Sequence, residues 1–269
     1  MSNSKSGIEL YHQCKRAYKY TYIDGYETTH RSPEQAVGLA VHRGLQDTWM
    51  GNPIDAAAVT SECTSPMQAA TALAMLRNVP TEPLVGLEGT EIPFKVDRLG
   101  VHGIFDGIKI TDTEVCIVEH KTTRSDLDDG MYWERVKTDW QVGIYLLAAE
   151  FTFGKPAYML YNVMRVPGLR HRRGESDSEL LARIETELSD NPEKYYRQAR
   201  ITWKQESLAR LEADLLDTEA AIKQSRRTQS WPRSRRCFPF PRQRCGFYPV
   251  CFEGAELADN AVYQIRRAR

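Results

Sequence analysis

Apolar residues recur at helical spacing in several parts of this chain. In residues 33–49 they lie four positions apart and so share one side of a helix: Val37, Val41, Leu45 and Trp49. Helix starts are marked by serine with glutamate or glutamine three positions later, at Ser6, Ser32, Ser65 and Ser176. Together the patterns predict helices near 7–22, 33–49, 66–77, 132–150, 177–189 and 205–224. The segment 51–66 is interpreted as a surface connection.

Extended stretches are concentrated between residues 90 and 122. Three runs rich in β-branched and aromatic residues, EIPFKV, VHGIFDGIKI and EVCIVEHK, are separated by the turn-like sequences RLG and TDT. They predict an antiparallel meander, and further strands are predicted in AYMLYNVMRV and ARITW. Because helical segments precede and follow these strands, we expect an α/β fold with a central mixed β-sheet flanked by helices.

Charged residues interrupt two of the predicted strands on the side that faces the core. In VCIVEHKTT, residues 115–123, Glu119 and Lys121 continue an apolar row, because side chains two positions apart in a strand point the same way. On the preceding strand Asp106 lies in a similar row with Ile104 and Ile108. A buried carboxylate costs roughly several kcal/mol unless it is paired or bound to a metal.

Two interpretations explain these charges. Carboxylates on neighbouring strands supply the oxygen ligands that Mg²⁺ or Mn²⁺ prefers, and the lysine ammonium can stabilise charge on a phosphate. The alternative is a buried ion pair between Glu119 and Lys121 without a metal. His120, which stands between them, is interpreted as incidental. Net charge favours no nucleic-acid partner, since 36 basic residues balance 36 acidic ones.

Five short motifs, in order along the chain, resemble those of the PD-(D/E)xK nuclease superfamily. GIFD (103–106), EHKT (119–122) and QVGIY (141–145) resemble its GxxD, ExK and QxxxY motifs. GLAVH (38–42) and CKRAYKYTY (14–22) resemble the histidine motif and the opening segment of its RecB-like exonuclease branch. That branch includes phage exonucleases and CRISPR-associated iron–sulfur exonucleases. One departure is Phe105, which stands where the superfamily's proline precedes the aspartate.

The resemblance implies a restriction-endonuclease-like core and a role for each matching residue. Asp106, Glu119 and His42 would hold Mg²⁺ or Mn²⁺, and Lys121 would be the catalytic lysine. The remaining catalytic residues would be Gln141 and Tyr145, which would support the site or the DNA strand. Without the motifs, a histidine at the border of a helical stripe is more often a hydrogen-bonded boundary residue than a ligand. Likewise, a glutamine and a tyrosine four apart are ordinary neighbours on a helix face.

The six cysteines lie in a chain that has no apolar run of signal-peptide or membrane-span length. We therefore expect a cytoplasmic protein of a bacterial or phage-infected cell, with reduced thiols. Cys14, Cys237, Cys245 and Cys251 supply four thiolates, enough for a [4Fe–4S] cluster or Zn²⁺, although spacing alone is equally consistent with buried thiols. The resemblance favours the [4Fe–4S] cluster, which would close the C-terminal loop on an N-terminal helix.

Arginine is abundant between residues 226 and 244, where no acidic residue occurs and Trp231, Phe238 and Phe240 are interspersed. Guanidinium groups pair with phosphates and aromatic rings stack on bases, so the segment is predicted to bind DNA single strands or duplex ends. A solvated charged segment is the alternative. The arginines assigned to DNA are Arg226, Arg227, Arg233, Arg235 and Arg236.

These observations lead to one functional expectation. The 269 residues are expected to form a single nuclease domain, with a helical part (1–89), a catalytic core (90–204) and a C-terminal helix with a basic, cysteine-rich segment (205–269). The predicted function is a metal-dependent DNA exonuclease with a structural iron–sulfur cluster, in phage recombination or adaptive-immunity processing. The alternatives are an endonuclease of the same superfamily and a non-catalytic DNA-binding or zinc-stabilised subunit.

Overall fold

The computed structural model describes residues 3–29, 33–78, 87–234, 237–238, 244–260 and 262–266. This part of the chain forms two compact units. Unit 1 comprises residues 1–31, 97–102 and 212–269, and unit 2 comprises residues 32–96 and 103–211. Cys14 therefore lies in unit 1 and His42 in unit 2, although the predicted division placed both in one helical part. The single nuclease domain stays a prediction.

Ten α-helices occur in the described residues, and most of their bounds follow the predicted ones. Two π-helical segments, Lys19–Ile23 and Pro249–Glu253, and a 3₁₀ turn, Asp97–Leu99, occur besides them. In chain order, α1 to α10 are Lys5–Gln13, Lys15–Tyr18, Pro33–Trp49, Ala56–Ser61, Pro66–Arg77, Gly130–Lys137, Trp140–Phe153, Asp177–Asp190, Pro192–Tyr195 and Gln205–Thr228. The predicted helix at 132–150 is two helices, because the Asp139 side chain accepts a hydrogen bond from the Gln141 amide and starts α7. α7 ends at Phe153 because Gly154 adopts a left-handed φ of 65°.

Serine caps begin several helices. At α8 the cap is reciprocal, since Ser176 accepts from the Glu179 amide and the Glu179 carboxylate accepts from the Ser176 amide. α1 differs from the prediction, because its cap is Ser4, which accepts from the Gly7 amide at 3.2 Å. Ser32 lies outside the described residues. The segment 51–66 is more than a surface connection, since it contains α4 with the fully buried Val59.

Two sheets occur in the described residues. Strands β1 to β7 are Tyr26–Thr28, Gly89–Val96, Val101–Ile110, Val115–Thr123, Ala157–Arg165, Tyr196–Ile201 and Tyr263–Ile265. The five-stranded sheet has the order β2-β3-β4-β5-β6, and β1 pairs with β7 in a small antiparallel sheet of unit 1. β4 is antiparallel to β3 and parallel to β5, while β5 is antiparallel to β6. The predicted mixed sheet with flanking helices is confirmed.

Helices cover both faces of the five-stranded sheet. Val118 and Cys116 of β4 pack in one buried cluster with residues of α3, α5 and α8. Side chains alternate along a strand, so Ile117 and Glu119 lie on the other face, where α7 contacts β4 and β5. This placement directs the end of α7 that begins at Trp140 toward the charged end of β4.

None of the helices in the described part of the chain combines the length and apolar composition needed to cross a membrane.

Candidate active site

The end of β4 presents the predicted Glu–x–Lys pair on the face that α7 covers. The Glu119 side chain is 2% exposed, and the Lys121 side chain is 32% exposed. The Lys121 ammonium donates a short hydrogen bond to Glu119 Oε1 and a second, at 3.0 Å, to Gln141 Oε1. Gln141 in turn donates from Nε2 to Glu119 Oε1 at 2.6 Å. The three side chains therefore form one closed hydrogen-bonded group.

Asp106 joins the site where β3 separates from β4. The antiparallel register of the two strands runs from Ile110 opposite Val115 to Gly107 opposite Val118. Asp106 is the next residue of β3 beyond this last pair, and its Oδ2 accepts a hydrogen bond from the amide of His120 at 2.7 Å. A side-chain carboxylate thus replaces the main-chain acceptor that a continued ladder would provide, and this fixes its position beside β4.

His42 reaches the same point of β4 from α3. Its Nε2 lies 2.6 Å from the carbonyl oxygen of His120, and its Nδ1 lies 3.7 Å from Asp106 Oδ2. Because a carbonyl oxygen only accepts, Nε2 carries the proton and Nδ1 is left with the lone pair. Burial lowers the pKa of His42, against the charge of Glu119, so the imidazole is neutral and its Nδ1 is available as a ligand.

Burial and the charges of neighbouring groups shift the pKa values of the ionisable side chains in this site. Burial, followed by the charge of Glu119, raises the pKa of Asp106 well above its usual value. Burial alone would lower the pKa of Lys121, but the charge of Glu119 and their hydrogen bond leave it raised. Glu91 on β2 adds a further negative charge that also raises the pKa of Asp106. The site is therefore rich in carboxylates that one ammonium neutralises only in part.

Tyr145 lies one turn beyond Gln141 on α7, as the QxxxY spacing predicts. Its ring packs edge-on against Phe105 and Phe94, with ring centres 5.4 and 5.3 Å away. Burial, and then the charges of Glu119 and Asp106, raise the pKa of Tyr145. The phenol thus stays neutral beside the carboxylates and forms an apolar wall of the site.

Two features of β3 and β4 differ from the sequence interpretation. Ile104 is 37% exposed, whereas Phe105 is 1% exposed, because the strand pairing with β4 has ended and Phe105 packs on Phe94. His120 is not incidental, since both of its main-chain groups bind side chains of the site. Burial lowers the pKa of its imidazole to about 3. No sequence signal identifies such a residue, because main-chain partners depend on strand register.

The donor set fits a divalent cation in its chemistry. In the part of the chain that the structure describes, no three His, Cys, Asp or Glu side chains are already arranged as a metal-ion site. However, Glu119 Oε2 is buried and has no hydrogen-bond partner among the described residues. A buried carboxylate oxygen without a partner, beside a second carboxylate with a raised pKa, is stabilised by a hard cation.

Comparison with known proteins agrees with this geometry. The sequence profile of the PD-(D/E)XK nuclease superfamily matches residues 2–252. The chain belongs to the PD-(D/E)XK nuclease superfamily. No curated protein matches this nuclease chain significantly.

One solved structure has a similar fold over most of its length. A protein from Eubacterium rectale, assigned only provisionally as an exonuclease, is 11% identical and superposes with a TM-score of 0.57 over 95% of this chain and 89% of its own. A second solved structure, SSO0001, is 12% identical, covers 82% of this chain and 85% of its own, and has a TM-score of 0.29. At these identities the first match supports the fold alone.

The nuclease carries a second cluster of candidate ligands, in unit 1. The thiols of Cys14, Cys237, Cys245 and Cys251 line one pocket together with Ala17, Phe247 and Tyr248. All four cysteines are free. Burial, and then the neighbouring thiols, raise the pKa values of Cys245 and Cys251. The predicted closing of the cysteine-bearing loop on the first helices is present, although no three of these cysteines are arranged as a metal-ion site in the described residues.

The arginines predicted to bind DNA have different environments in the nuclease. Arg226 is half-buried and hydrogen-bonds the Tyr18 hydroxyl. Arg227 and Arg233 are exposed. Trp231, one of the interspersed aromatic residues, is 4% exposed and stacks on Tyr18, so it does not offer a face to a base. Arg235, Arg236 and Phe240 lie outside the described residues.

Proposed function

We propose that this nuclease is a Mg²⁺- or Mn²⁺-dependent DNA exonuclease that hydrolyses phosphodiester bonds at DNA ends or in single strands. The observation that carries the proposal is the unpaired, buried Oε2 of Glu119 beside the Asp106 carboxylate. An ion pair between Glu119 and Lys121 alone would leave that oxygen desolvated without compensation. A divalent cation would supply the missing partner.

Asp106, Glu119 and the Nδ1 atom of His42 would hold the ion. Once bound, a divalent cation supplies charge neutralisation of the scissile phosphate and lowers the pKa of a water. Lys121 keeps its proton, since Glu119 raises its pKa, and its ammonium offsets the negative charge that develops on the phosphate. Gln141 holds that ammonium in place through its amide oxygen. Tyr145 excludes water from the apolar side of the site.

The second part of the proposal is a structural [4Fe–4S] cluster on Cys14, Cys237, Cys245 and Cys251, with Zn²⁺ as the alternative. Support comes from the common pocket of the four free cysteines and from the raised pKa values of Cys245 and Cys251, which burial and then the neighbouring thiols cause. A metal cluster binds thiolates and would therefore favour the ionised form of these two groups. Free thiols of this kind suit the reducing cytoplasm of a bacterial or phage-infected cell.

DNA is the proposed substrate, with the arginines of residues 226–236 as phosphate contacts: Arg226, Arg227, Arg233, Arg235 and Arg236. The Eubacterium rectale protein of similar fold is provisionally assigned as an exonuclease, and we propose the same class of activity for this chain. A pathway in phage recombination or adaptive-immunity processing fits such an enzyme.

One assay tests the proposed reaction directly. End-labelled linear single- and double-stranded DNA are incubated beside a closed circle, with Mg²⁺, Mn²⁺ or a chelator. We expect the linear DNA to be degraded from its ends only when a divalent metal is present, and the circle to stay intact. Cutting of the circle would establish an endonuclease instead. Binding without products under every metal condition would establish a non-catalytic DNA-binding subunit.

A further inference from the structure

An exposed group of three aromatic side chains lies on the cysteine-bearing loop. We call Phe238, Tyr248 and Phe252 the aromatic patch. Phe238 is 58% exposed and Phe252 is 52% exposed. The ring centre of Tyr248 lies 5.5 Å from that of Phe238 and 5.0 Å from that of Phe252. The three rings are therefore contiguous, with Phe238 and Phe252 exposed and Tyr248 partly buried between them.

Two arginines lie over this surface. The guanidinium carbon of Arg233 is 5.0 Å from the ring centre of Phe252, and that of Arg244 is 4.9 Å from the ring centre of Tyr248. Both distances are those of cation–π contacts. Arg244 also pairs with Glu253 at 2.7 Å, but both side chains are largely exposed, and such surface pairs are weak and readily exchange partners. Arg233 is exposed and also donates a hydrogen bond to the carbonyl oxygen of Cys251 at 2.9 Å. The patch thus combines apolar ring faces with two cations at its surface.

Tyr248 and Phe252 also line the cysteine pocket, but folding of unit 1 does not account for the exposed part of Phe238 and Phe252. Phe247, in the same segment, is 7% exposed and stacks on Tyr263, so this part of the chain already has its buried aromatic core. Leaving two further phenylalanines more than half in water forgoes the stabilisation that burial gives. Contiguous exposed apolar surface of this kind is typical of a binding site.

We propose that the aromatic patch stacks against the unpaired bases of a single-stranded nucleic acid, whose phosphates pair with Arg233 and Arg244. The inference deepens the proposed function, on which it rests, by naming the surface that selects unpaired strands. Duplex DNA hides its base faces inside the stack, whereas a single strand offers every base face to a ring. Stacking also tolerates any sequence, which suits an enzyme that moves along a strand.

The experiment measures binding with a chelator present, so that no cleavage is required. A fluorescent oligo-dT strand, its duplex with oligo-dA, and an abasic strand of equal length are titrated with wild type and with the double variant Phe238→Ala/Phe252→Ala. We expect wild type to prefer oligo-dT over the abasic strand, and the double variant to bind oligo-dT about tenfold or more weakly. Duplex and abasic-strand binding should be equal in the two proteins.

Matched variants keep this test independent of folding. Phe151→Ala changes a phenylalanine of α7 that is 41% exposed and lies outside the patch, so it should bind oligo-dT as wild type does. Phe238→Tyr/Phe252→Tyr keeps both rings and should retain the preference for bases. Loss of binding in that variant as well would overturn the stacking role. So would equal binding of oligo-dT by the alanine double variant and wild type.

Two further outcomes separate this inference from the proposed function. If wild type degrades DNA with Mg²⁺ but shows no preference for oligo-dT over the abasic strand, the inference fails and the nuclease assignment stands. If oligo-dT binding depends on the patch while no metal supports cleavage, the inference stands and the catalytic proposal fails. Self-association of wild type that is lost in the alanine double variant would show that the patch is a contact between copies, which overturns the inference.

Discussion

The carboxylate site of unit 2 and the cysteine pocket of unit 1 hold similar numbers of potential ligands but are built in different ways. Asp106, Glu119 and His42 stand on two strands and a long helix, and main-chain groups of His120 hold two of them. Cys14 lies near one end of the chain and the other three cysteines near the other end; Cys237 and Cys245 lie outside helices and strands, and Cys251 lies in the π-helical turn Pro249–Glu253. The first site is shaped by the sheet, whereas none of these four cysteines lies in a strand.

The two sites also differ in whether a positive side chain bonds directly to their acidic groups. Lys121 bonds Glu119 directly, so the carboxylate site contains its own counter-ion. In the cysteine pocket, burial and the other thiols raise the pKa of Cys251, and Arg233 and Arg16 oppose this only through their charge. If the cysteine pocket holds the proposed cluster, loss of that cluster should unfold the cysteine region without disrupting the carboxylate site.

The largest expected effect is on the cysteine pocket. Cys14→Ser should remove the brown colour of an iron–sulfur cluster and lower the free energy of unfolding by about 5 kcal/mol, since a clip that closes a loop of more than about 200 residues limits the unfolded chain to that extent. Iron analysis and chemical unfolding measure both effects. Cys63→Ser, a half-buried thiol outside the pocket, is the control and should change neither. A colourless, iron-free wild type whose stability equals that of Cys14→Ser would contradict the presence of the cluster.

The second-largest effect is expected on the catalytic rate, in a variant that stays folded. Lys121→Ala should lower kcat by about 100-fold or more, because the charge that offsets the developing phosphate charge is gone, while DNA binding is retained. Lys137→Ala, which removes an exposed lysine of α6 paired with Glu134, should leave kcat unchanged. Wild-type cleavage rates in Lys121→Ala would exclude the proposed role of the lysine.

A smaller effect is expected from the amide that links Lys121 and Glu119. Gln141→Ala removes one acceptor of the ammonium and one donor to the carboxylate, and should lower kcat by about tenfold. Single-turnover cleavage measures the change. Gln205→Ala, which removes an exposed hydrogen bond to Glu150, should have no effect on the rate. Equal rates for the two variants would show that Gln141 does not position the lysine.

The smallest effect is on the stability of the metal-free protein. The raised pKa of Asp106 means that its contribution to stability is present below the usual carboxyl pKa, about 3.9, and is lost as the pH rises through its folded-state pKa. With chelator at neutral pH, Asp106→Asn should therefore raise Tm by about 2–4 °C, and the difference should shrink as the pH falls. Mg²⁺ should raise the Tm of wild type but not that of the variant. Thermal unfolding between about pH 4 and 8 tests each point.

Several elements of the fold were predictable because their signals are local. The capping residues Ser65 and Ser176 identified α5 and α8, and the two-residue period of β4 placed Glu119 and Lys121 on one face. The i, i+4 spacing likewise brought Gln141 and Tyr145 to the same side of α7. Local signals failed where tertiary contacts compete with them, as at Ile104 and Phe105, whose burial depends on where the pairing of β3 with β4 ends.

By itself the sequence determined most of the longer helices, strands β2 to β6, the shared face of Glu119 and Lys121 and the family motifs, since these depend on neighbours a few residues away. The tertiary structure alone decided that His120 anchors Asp106 and His42 through its main chain, that Trp231 is buried, and that Phe238 and Phe252 face water. It also decided the pairing of β1 with β7, strands more than 200 residues apart. Strand register and distant packing set these features, and no short stretch of sequence encodes either of them.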